Sequence, residues 1–392
     1  MGFYFETSLM KKAISTVWII GAVLLIGAPA YSEVISFPVP QVPDPALIGR
    51  PPVPGMPFVP GLPPYVGQPI VSDIQYVEPE YVSFIKKLEA IPENKIDVGL
   101  VALKLAKDIH PKLDIKAYSA KIDKLAARVR AFTKGSTNPD TRVRGLNGVL
   151  FWQVGISYDT SDPLGEKIDT RLISGVLDRK KGVCNSIPLL YLAVAQRLGY
   201  PVYPVSAPQH CFLRYVDPRY TEQNIETTGK GCYGPDSTYI EWLKVTPKSI
   251  KSGAYLRTLT YKEYVGHLIA LNSLYWSDRD DGARALYYMA AARRLYPKSA
   301  EICQWYGGLL VCRSKQEGGE DAIYDSKTGK QCLKMAEDMG VSHLTEEDYI
   351  KELALHTESP ELQRVVPPVC QAATKRVLWL SLNSVSNCLG GL

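Results

Sequence analysis

Apolar residues recur at helical spacing over residues 81–132 of the chain. A first stripe ends at His110-Pro111 and a second stripe follows it. In each, the apolar residues lie three or four positions apart, as on the buried face of a helix. The spacing therefore predicts helices that pack against one another. The stripes consist of Ile96, Leu100, Leu103 and Ala106, and of Ile122, Leu125, Ala126 and Val129.

The middle of the chain changes from helical to strand-like patterns. Helices are predicted over residues 171–178 and 188–198, and Gly199 closes the second of them. Short apolar segments bounded by proline, glycine or charge then predict three strands. These strands cover residues 201–205, 211–216 and 223–228.

From residue 261 onward the pattern is helical again. Residues 261–276 precede residues 282–297, which carry small residues at close-packing positions and end in a proline, and this is typical of a tetratricopeptide helix pair. A second, irregular pair is predicted over residues 301–311 and 329–339. Fewer than three repeats are visible, so we expect these helices to dock on the rest of the chain instead of forming a free arm.

The N-terminal pattern predicts a secretory signal. Residues 13–28 are an apolar run that follows two lysines and precedes Ala30-Tyr31-Ser32, with small residues at the positions that a signal peptidase reads. We therefore assign residues 1–32 to a signal peptide that is cleaved near Ser32, which exports the protein to the periplasm or beyond the cell. Met1 and Met10 are both candidate starts. An inner-membrane anchor is the alternative, although the run falls short of the ~20 residues that span a bilayer.

The proline content of the next segment predicts an extended spacer. Residues 38–69 hold twelve prolines and few charges. Such a composition forms neither helix nor interior strand and favours polyproline II, at roughly 3.1 Å per residue. We therefore treat residues 33–75 as a proline-rich linker and expect the folded part to begin near residue 76.

Length and composition narrow the classes of function. A chain of 392 residues with 46% hydrophobic residues is long enough for two folded units. The net charge of +5 is small, and no dense Lys/Arg stripe is interleaved with aromatic residues, which argues against a nucleic-acid partner. The sequence has no Cys-x-x-Cys or His-x-x-x-His spacing, so neither a metal nor another cofactor is expected.

Export would permit disulfides among the cysteines other than Cys184. There are seven of these, an odd number, so at least one stays free if Cys184 does. The candidate bridges are Cys370 with Cys388, and one pair among Cys303, Cys312 and Cys332. Connectivity itself is not readable from a sequence.

Cys184 lies at the head of a strongly apolar helix, and His210 and Glu226 follow it on predicted strands. This is the order of a thiol catalytic triad, in which a thiolate attacks, an imidazole takes and returns the proton, and a carboxylate fixes the imidazole tautomer. The helix start and the basic residues 179–181 both favour the charged thiolate. The sequence therefore predicts a site of Cys184, His210 and Glu226. Asn224 and Asp217 are alternative third members.

Both key residue types also have common structural roles. A cysteine on an apolar helix is usually a small core residue, and a single histidine is usually structural. The other histidines lie in segments that are predicted to be helices or helix ends, so only His210 follows the cysteine on a strand at short range. Those histidines are His110, His267, His343 and His356.

Several segments together resemble the bacterial transglutaminase-like superfamily, in the branch where N-terminal helices precede the thiol core and tetratricopeptide helices follow it. The resemblance covers roughly residues 80–300. It implies an α+β fold with a papain/transglutaminase-like core, in which a helix bearing the cysteine packs on a short antiparallel sheet. We accordingly expect that domain, with its helical N-terminal part, at residues 76–255 and an α-helical tetratricopeptide-like region at 256–392. The matching motifs are LKLAKDIHPKLDIKAY (103–118), LISGVLDRKKGVC (172–184), RLGYPVY (197–203), PQHCFLRY (208–215) and NIETT (224–228).

By this resemblance Cys184 is the nucleophile, His210 the base and Glu226 the third member, at a position where the family more often has aspartate. The implied reaction is acyl transfer from a protein or peptide amide, with water giving hydrolysis and an amine giving cross-linking. A backbone N–H at the helix start and the side chain of Gln153 are candidate oxyanion donors. The alternative is a non-catalytic scaffold that binds a protein partner through the core and the tetratricopeptide-like helices.

Overall fold

The structure is a computed structural model that describes residues 77–220, 223–316, 319–345 and 348. The predicted signal peptide (1–32), the proline-rich linker (33–75) and the end of the predicted helical region (349–392) lie outside the described residues. Among the helices that are described, none is both long enough and apolar enough to cross a membrane.

The N-terminal part is helical, and capping residues divide the predicted stretch 81–132 into separate helices. The Asp97 carboxylate accepts a hydrogen bond from the Leu100 backbone N–H at 2.9 Å, and Asp114 accepts one from Ala117 at 3.0 Å. Each carboxylate satisfies a backbone donor that has no partner at a helix start. The elements are α1 (Pro79–Ala90), a 3-10 turn (Glu93–Lys95), α2 (Val98–Ile109), α3 (Ile115–Thr133), α4 (Pro139–Asn147) and a π-helical turn (Gly148–Gln153).

A buried helix and a three-stranded sheet form the centre of the molecule. The helix is buried from Ser186 to Ala195 and packs against both long strands of the sheet, which explains why its sequence is apolar on every face. A separate two-stranded parallel pair leads into this helix and was not predicted. The elements are β1 (Ser157–Tyr158), α5 (Ile168–Arg171), α6 (Ile173–Arg179), β2 (Lys181–Gly182), α7 (Ser186–Arg197), β3 (Val202–Ala207), β4 (His210–Tyr215) and β5 (Asn224–Ile225).

The sheet is antiparallel in the order β3-β4-β5. Ala207 pairs with His210 across the hairpin, and Arg214 pairs with Asn224 on the next strand. The third strand is shorter than the predicted segment 223–228. After Ile225 the chain turns through Lys230 and Gly231, both with positive φ, and only an isolated bridge from Glu226 to Cys232 remains.

The C-terminal helices pack against the N-terminal ones. Asn272 donates from its Nδ2 to the Leu105 backbone oxygen at 3.0 Å, which joins the helix Tyr261–Ser277 to α2. Gly307 and Gly329 allow the last two helices to approach closely, because a Cβ on Gly307 would lie 2.8 Å from the Gly329 backbone oxygen. The elements are α8 (Asp236–Trp242), α9 (Pro247–Ser252), α10 (Tyr261–Ser277), α11 (Gly282–Leu295), α12 (Ala300–Gln316) and α13 (Gly319–Met339).

The central helix and sheet and the surrounding helices together give the α+β architecture that the sequence predicted. The boundary between residues 255 and 256 stays a prediction. Helix α10 contacts both α2 and β3, so the described helical region shares its packing with the core.

Candidate active site

A tight turn between β2 and α7 positions Cys184. Ser186 Oγ accepts a hydrogen bond from the Val183 backbone N–H at 3.0 Å and donates to the Thr170 backbone oxygen. Glycine is required at position 182, because a Cβ there would lie 2.5 Å from Ser186 Oγ. Cys184 is thereby fixed just before the N-terminal end of α7, where unpaired backbone N–H groups and the helix dipole favour negative charge.

Two of the three basic residues at 179–181 interact with a carboxylate. Arg179 Nη2 lies 2.7 Å from Asp159 Oδ2, and Lys181 also interacts with the charge of that carboxylate. The expectation that residues 179–181 act together on the thiol is therefore weakened. Among the described residues, His210 interacts electrostatically with Cys184.

His210 opens strand β4 beside Cys184. The Cys184 thiol donates to the Gln209 backbone oxygen at 3.7 Å and also interacts electrostatically with the His210 ring. Glu226 occupies Nε2, which leaves Nδ1 for the sulfur. Nδ1 is buried and has no well-aligned hydrogen-bond partner in the described part of the chain. Loose contacts of this kind are common in free enzymes and tighten when substrate binds.

Glu226 lies on the other side of the imidazole. Its Oε2 is 2.7 Å from His210 Nε2, and both side chains are buried. The Tyr239 hydroxyl donates to Oε2 at 3.1 Å. Thr228 donates to Oε1 from its backbone N–H at 2.9 Å and from its hydroxyl at 2.6 Å. These donors satisfy a buried carboxylate and fix its orientation toward His210.

Charge pairing sets the protonation states of this pair. Burial alone would lower the pKa of His210, but Glu226 and the neighbouring Cys184 raise the pKa to about 10. Burial would raise the pKa of Glu226, but the charge of His210 and the hydrogen bonds from His210 and Thr228 outweigh burial and lower it. His210 is therefore a cation and Glu226 an anion at neutral pH. The imidazolium holds one proton at Nε2 for Glu226 and another at Nδ1, on the side of Cys184.

The two alternative third members of the triad, Asn224 and Asp217, form hydrogen bonds or ion pairs with other residues. Asn224 Oδ1 accepts a hydrogen bond from Arg214 Nε at 2.8 Å, and Asn224 Nδ2 donates to Asp236 at 2.7 Å. Asp217 lies 2.6 Å from Arg219, whose hydrogen bonds lower the Asp217 pKa to about 2. The structure thus brings Glu226 to His210 and leaves Asn224 and Asp217 outside this contact.

Other residues that the sequence analysis raised lie away from Cys184. Gln153 is exposed, and its Oε1 accepts a hydrogen bond from Arg128 at 3.0 Å, so its contacts give no support to an oxyanion role. His110 pairs with Asp169 at 3.0 Å. His267 is enclosed within α10, where burial lowers its pKa to about 4.

Aromatic side chains that were not predicted from the sequence pack against His210. Tyr239 and Trp242 of α8 lie against the imidazole, with ring centroids 6.1 and 5.1 Å away. Phe212 stacks on Tyr239 at 3.9 Å. These rings exclude water from the His210–Glu226 pair and so strengthen its electrostatic interaction. The available signal was the three-residue spacing of Tyr239 and Trp242, which places them on one face of a short helix.

The described cysteines correct part of the disulfide prediction. Cys303 donates from its thiol to the Cys332 backbone oxygen at 3.2 Å, yet both cysteines are free. Cys312 is disulfide-bonded, so the predicted bridge within the group of 303, 312 and 332 is wrong. The predicted bridge between Cys370 and Cys388 lies outside the described residues. The free cysteines of the described ranges are Cys184, Cys211, Cys232, Cys303 and Cys332.

Brief treatment of the native protein with iodoacetamide is expected to label Cys184 first among the described free cysteines. Cys184 is half-buried and lies beside an imidazolium. Burial and the charge of Glu226 raise the pKa of Cys232 to about 12. A hydrogen bond with Cys332 lowers the pKa of Cys303 to about 7, but Cys303 is buried. Peptide mapping by mass spectrometry measures the order, and faster labelling of Cys232 or Cys303 contradicts the activated-thiol hypothesis.

Comparison with known proteins gives one family match over this site. Residues 116–269 match the model of the transglutaminase-like superfamily. The UPF0162 proteins of Xylella fastidiosa strains Temecula1 / ATCC 700964 and 9a5c are each 25% identical to the chain over 140 residues. The alignment covers 35% of this chain and 48% of each relative, so the chain spans about half the length of the curated relatives it matches. No solved structure matches the chain.

Proposed function

We propose, from the premise that residues 116–269 form a transglutaminase-like domain, that this domain is a thiol-dependent acyl transferase acting on amide bonds. Cys184 is the nucleophile, His210 the general acid and base, and Glu226 the residue that holds His210. The observation that carries the proposal is the buried His210–Glu226 contact with Cys184 at the free side of the ring.

A purely structural role accounts less well for this contact. Buried polar atoms normally have a hydrogen-bond partner, yet Nδ1 of His210 has no aligned partner among the residues that are described. A buried ion pair is also a weak source of stability, because the cost of desolvation offsets the attraction. An imidazole nitrogen beside a half-buried thiol is the arrangement that a nucleophile and its acid–base partner require.

The reaction consists of two acyl transfers. The Cys184 thiolate, paired with the His210 imidazolium, attacks the amide carbonyl carbon, and backbone N–H groups at the start of α7 stabilise the oxyanion. The C–N bond breaks as His210 Nδ1 gives its proton to the departing amine, which leaves an acyl thioester on Cys184. His210 then takes a proton from water or from a second amine as that nucleophile attacks the thioester. This step gives hydrolysis or cross-linking and restores the thiolate and the imidazolium.

The substrate class that suits this chemistry is a protein or peptide amide. Export, proposed from residues 13–32, would expose the enzyme to extracytoplasmic proteins and cell-wall peptides. N-terminal sequencing of the protein recovered outside the cytoplasm tests export. If the protein is found in the cytoplasm alone and begins at Met1 or Met10, export is contradicted.

The direct test of the function is acyl transfer by the full-length protein. A glutamine-containing protein is incubated with a fluorescent primary amine, and ammonia release and amine incorporation are measured together with new peptide termini. Cys184→Ala is expected to lower all three signals by ~10³-fold or more. Cys332→Ala is the matched control, because it removes a buried thiol on α13 that lies against Cys303.

Turnover that survives in Cys184→Ala contradicts the assigned nucleophile. Wild-type protein that gives no ammonia, no incorporated amine and no new termini contradicts the enzymatic proposal. That result favours the alternative of a binding scaffold.

A further inference from the structure

The turn between β3 and β4 controls both sides of the proposed catalytic contact. Residues 208–209 form this turn, and His210 follows directly. The Gln209 backbone oxygen accepts a hydrogen bond from the Cys184 thiol at 3.7 Å. Gln209 has φ of 56°, a left-handed conformation that a residue with a side chain rarely adopts. Surrounding contacts must therefore hold this turn in place.

Glu301, in the first turn of α12, supplies such a contact. The Gln209 backbone N–H lies near its carboxyl group and favours the charged form, and the Tyr255 hydroxyl donates to Glu301 Oε1 at 3.3 Å. The Ser342 backbone N–H in turn donates to the Tyr255 hydroxyl at 3.2 Å. A path of polar contacts thus runs from the C-terminal helical region to the residue before His210.

We propose that Glu301 is a positioning residue, which holds the 208–209 turn so that Gln209 and His210 present their groups to Cys184. The C-terminal helices then contribute to the active site itself and are more than a packed appendage. This inference rests on the proposed function only where turnover is measured. The reactivity of the Cys184 thiol reports the same geometry without any substrate.

The role requires an acceptor oxygen at position 301 and does not require a charge. Burial raises the pKa of Glu301 to about 7, although the hydrogen bonds from Gln209 and Tyr255 act in the opposite direction. Glu301→Gln keeps an acceptor oxygen at the same reach, whereas Glu301→Ala removes it. Comparison of these two variants separates positioning from a general effect of losing a carboxylate.

The experiment measures the rate of iodoacetamide labelling at Cys184 in the full-length native protein, together with kcat, KM and melting temperature. Glu301→Ala is expected to slow labelling and kcat by roughly tenfold with KM little changed, because a small displacement of reacting groups is enough for such a loss. Glu301→Gln is expected to stay within about twofold of the wild type. Glu337→Ala, at an exposed glutamate on α13, is the matched control and should leave both rates unchanged.

Equal labelling rates in Glu301→Ala and the wild type overturn the proposal, as does a Glu301→Gln variant that is as slow as Glu301→Ala. If Glu301→Ala does not fold, Tyr255→Phe removes one donor to the same carboxyl and must also label more slowly than the wild type. If Glu301→Ala labels more slowly than the wild type but the wild type shows no amide turnover, the proposed function is wrong. The positioning role of Glu301 is still supported in that case.

Discussion

Glu226→Gln is expected to lower kcat/KM for acyl transfer by ~10³- to 10⁴-fold. Glutamine has nearly the same shape as glutamate but no charge, and the charge of Glu226 is the main influence that raises the pKa of His210 to about 10. Without that charge the buried imidazole loses its second proton, and its tautomer is no longer fixed. The general acid for the departing amine is then absent. Steady-state kinetics and the iodoacetamide rate of Cys184 both measure this loss.

Glu241→Gln provides the control for this substitution. Glu241 lies on α8, the helix that also carries Tyr239 and Trp242, but its side chain is exposed. Surface changes of this kind alter stability by about 0.5 kcal/mol or less, and the activity should stay at the wild-type level. Wild-type kinetics in Glu226→Gln would show that His210 does not depend on this carboxylate.

The stability that the His210–Glu226 pair provides depends on pH. The pKa of His210 lies at about 10 in the folded protein against 6.5 in the unfolded chain, so its contribution is complete below pH 6.5 and is lost as the pH rises through 10. The pKa of Glu226 is lowered from 4.5, so its contribution is present above pH 4.5 and is lost as the pH falls through the lowered value. The difference in melting temperature between the wild type and Glu226→Gln should therefore be largest between pH 4.5 and 6.5. It should shrink toward pH 10, and a difference that grows above neutral pH contradicts the assignment.

Asp108→Ala is expected to cost about 3–5 kcal/mol of folding stability, the loss that follows when one partner of a buried ion pair is removed. Asp108 on α2 is buried and pairs with Arg284 on α11. It also accepts hydrogen bonds from Trp276 Nε1 at 3.0 Å and from the Tyr288 hydroxyl at 3.1 Å. The Arg284 guanidinium lies 3.5 Å from the Tyr81 ring centroid and 3.6 Å from that of Trp276. Without Asp108 this buried cation has lost its counter-charge.

Thermal or denaturant unfolding measures this loss, and two further variants define its cause. Asp108→Asn keeps an acceptor oxygen for Trp276 and Tyr288, so it should be less destabilising than Asp108→Ala. Asp123→Ala is the surface control, because Asp123 pairs with Arg197 at 2.8 Å but is 58% exposed. Exposed pairs contribute about 0–1 kcal/mol. If Asp108→Ala and Asp123→Ala unfold at the same temperature, the cluster around Arg284 does not join the two helical regions.

The sequence predicted the parts of the site that depend on local pattern. Cys184 at the head of an apolar helix and His210 at a strand start both follow from residue spacing, and the structure places them there. Glu226 was less certain, because Asn224 has the same strand parity. The structure separates these two residues, since regular pairing ends at Ile225 and Asn224 is held by Arg214 and Asp236.

The other features of the site depend on contacts between segments that are distant in the sequence. A single sequence does not reveal such contacts. Tyr239 approaches Glu226 only after α8 has packed over the sheet. Glu301 lies near Gln209 although the two residues are 92 positions apart in the sequence. In the sequence pattern of α12, Glu301 resembles an ordinary surface glutamate. Cys303 and Cys332 were grouped with Cys312 as candidates for one bridge, but proximity of two thiols does not determine whether they are oxidised.

The contact between Asp108 and Arg284 also sets an order of events during synthesis. The two residues are 176 positions apart, so a chain that emerges from its N-terminus presents Asp108, Cys184, His210 and Glu226 long before Arg284. Until α11 arrives, the carboxylate of α2 must stay hydrated, and α2 cannot complete its packing. The proposed catalytic groups are thus all translated while their helical support is still incomplete. Final consolidation of the fold waits for the last third of the chain, and contacts of such high sequence separation make that step slow.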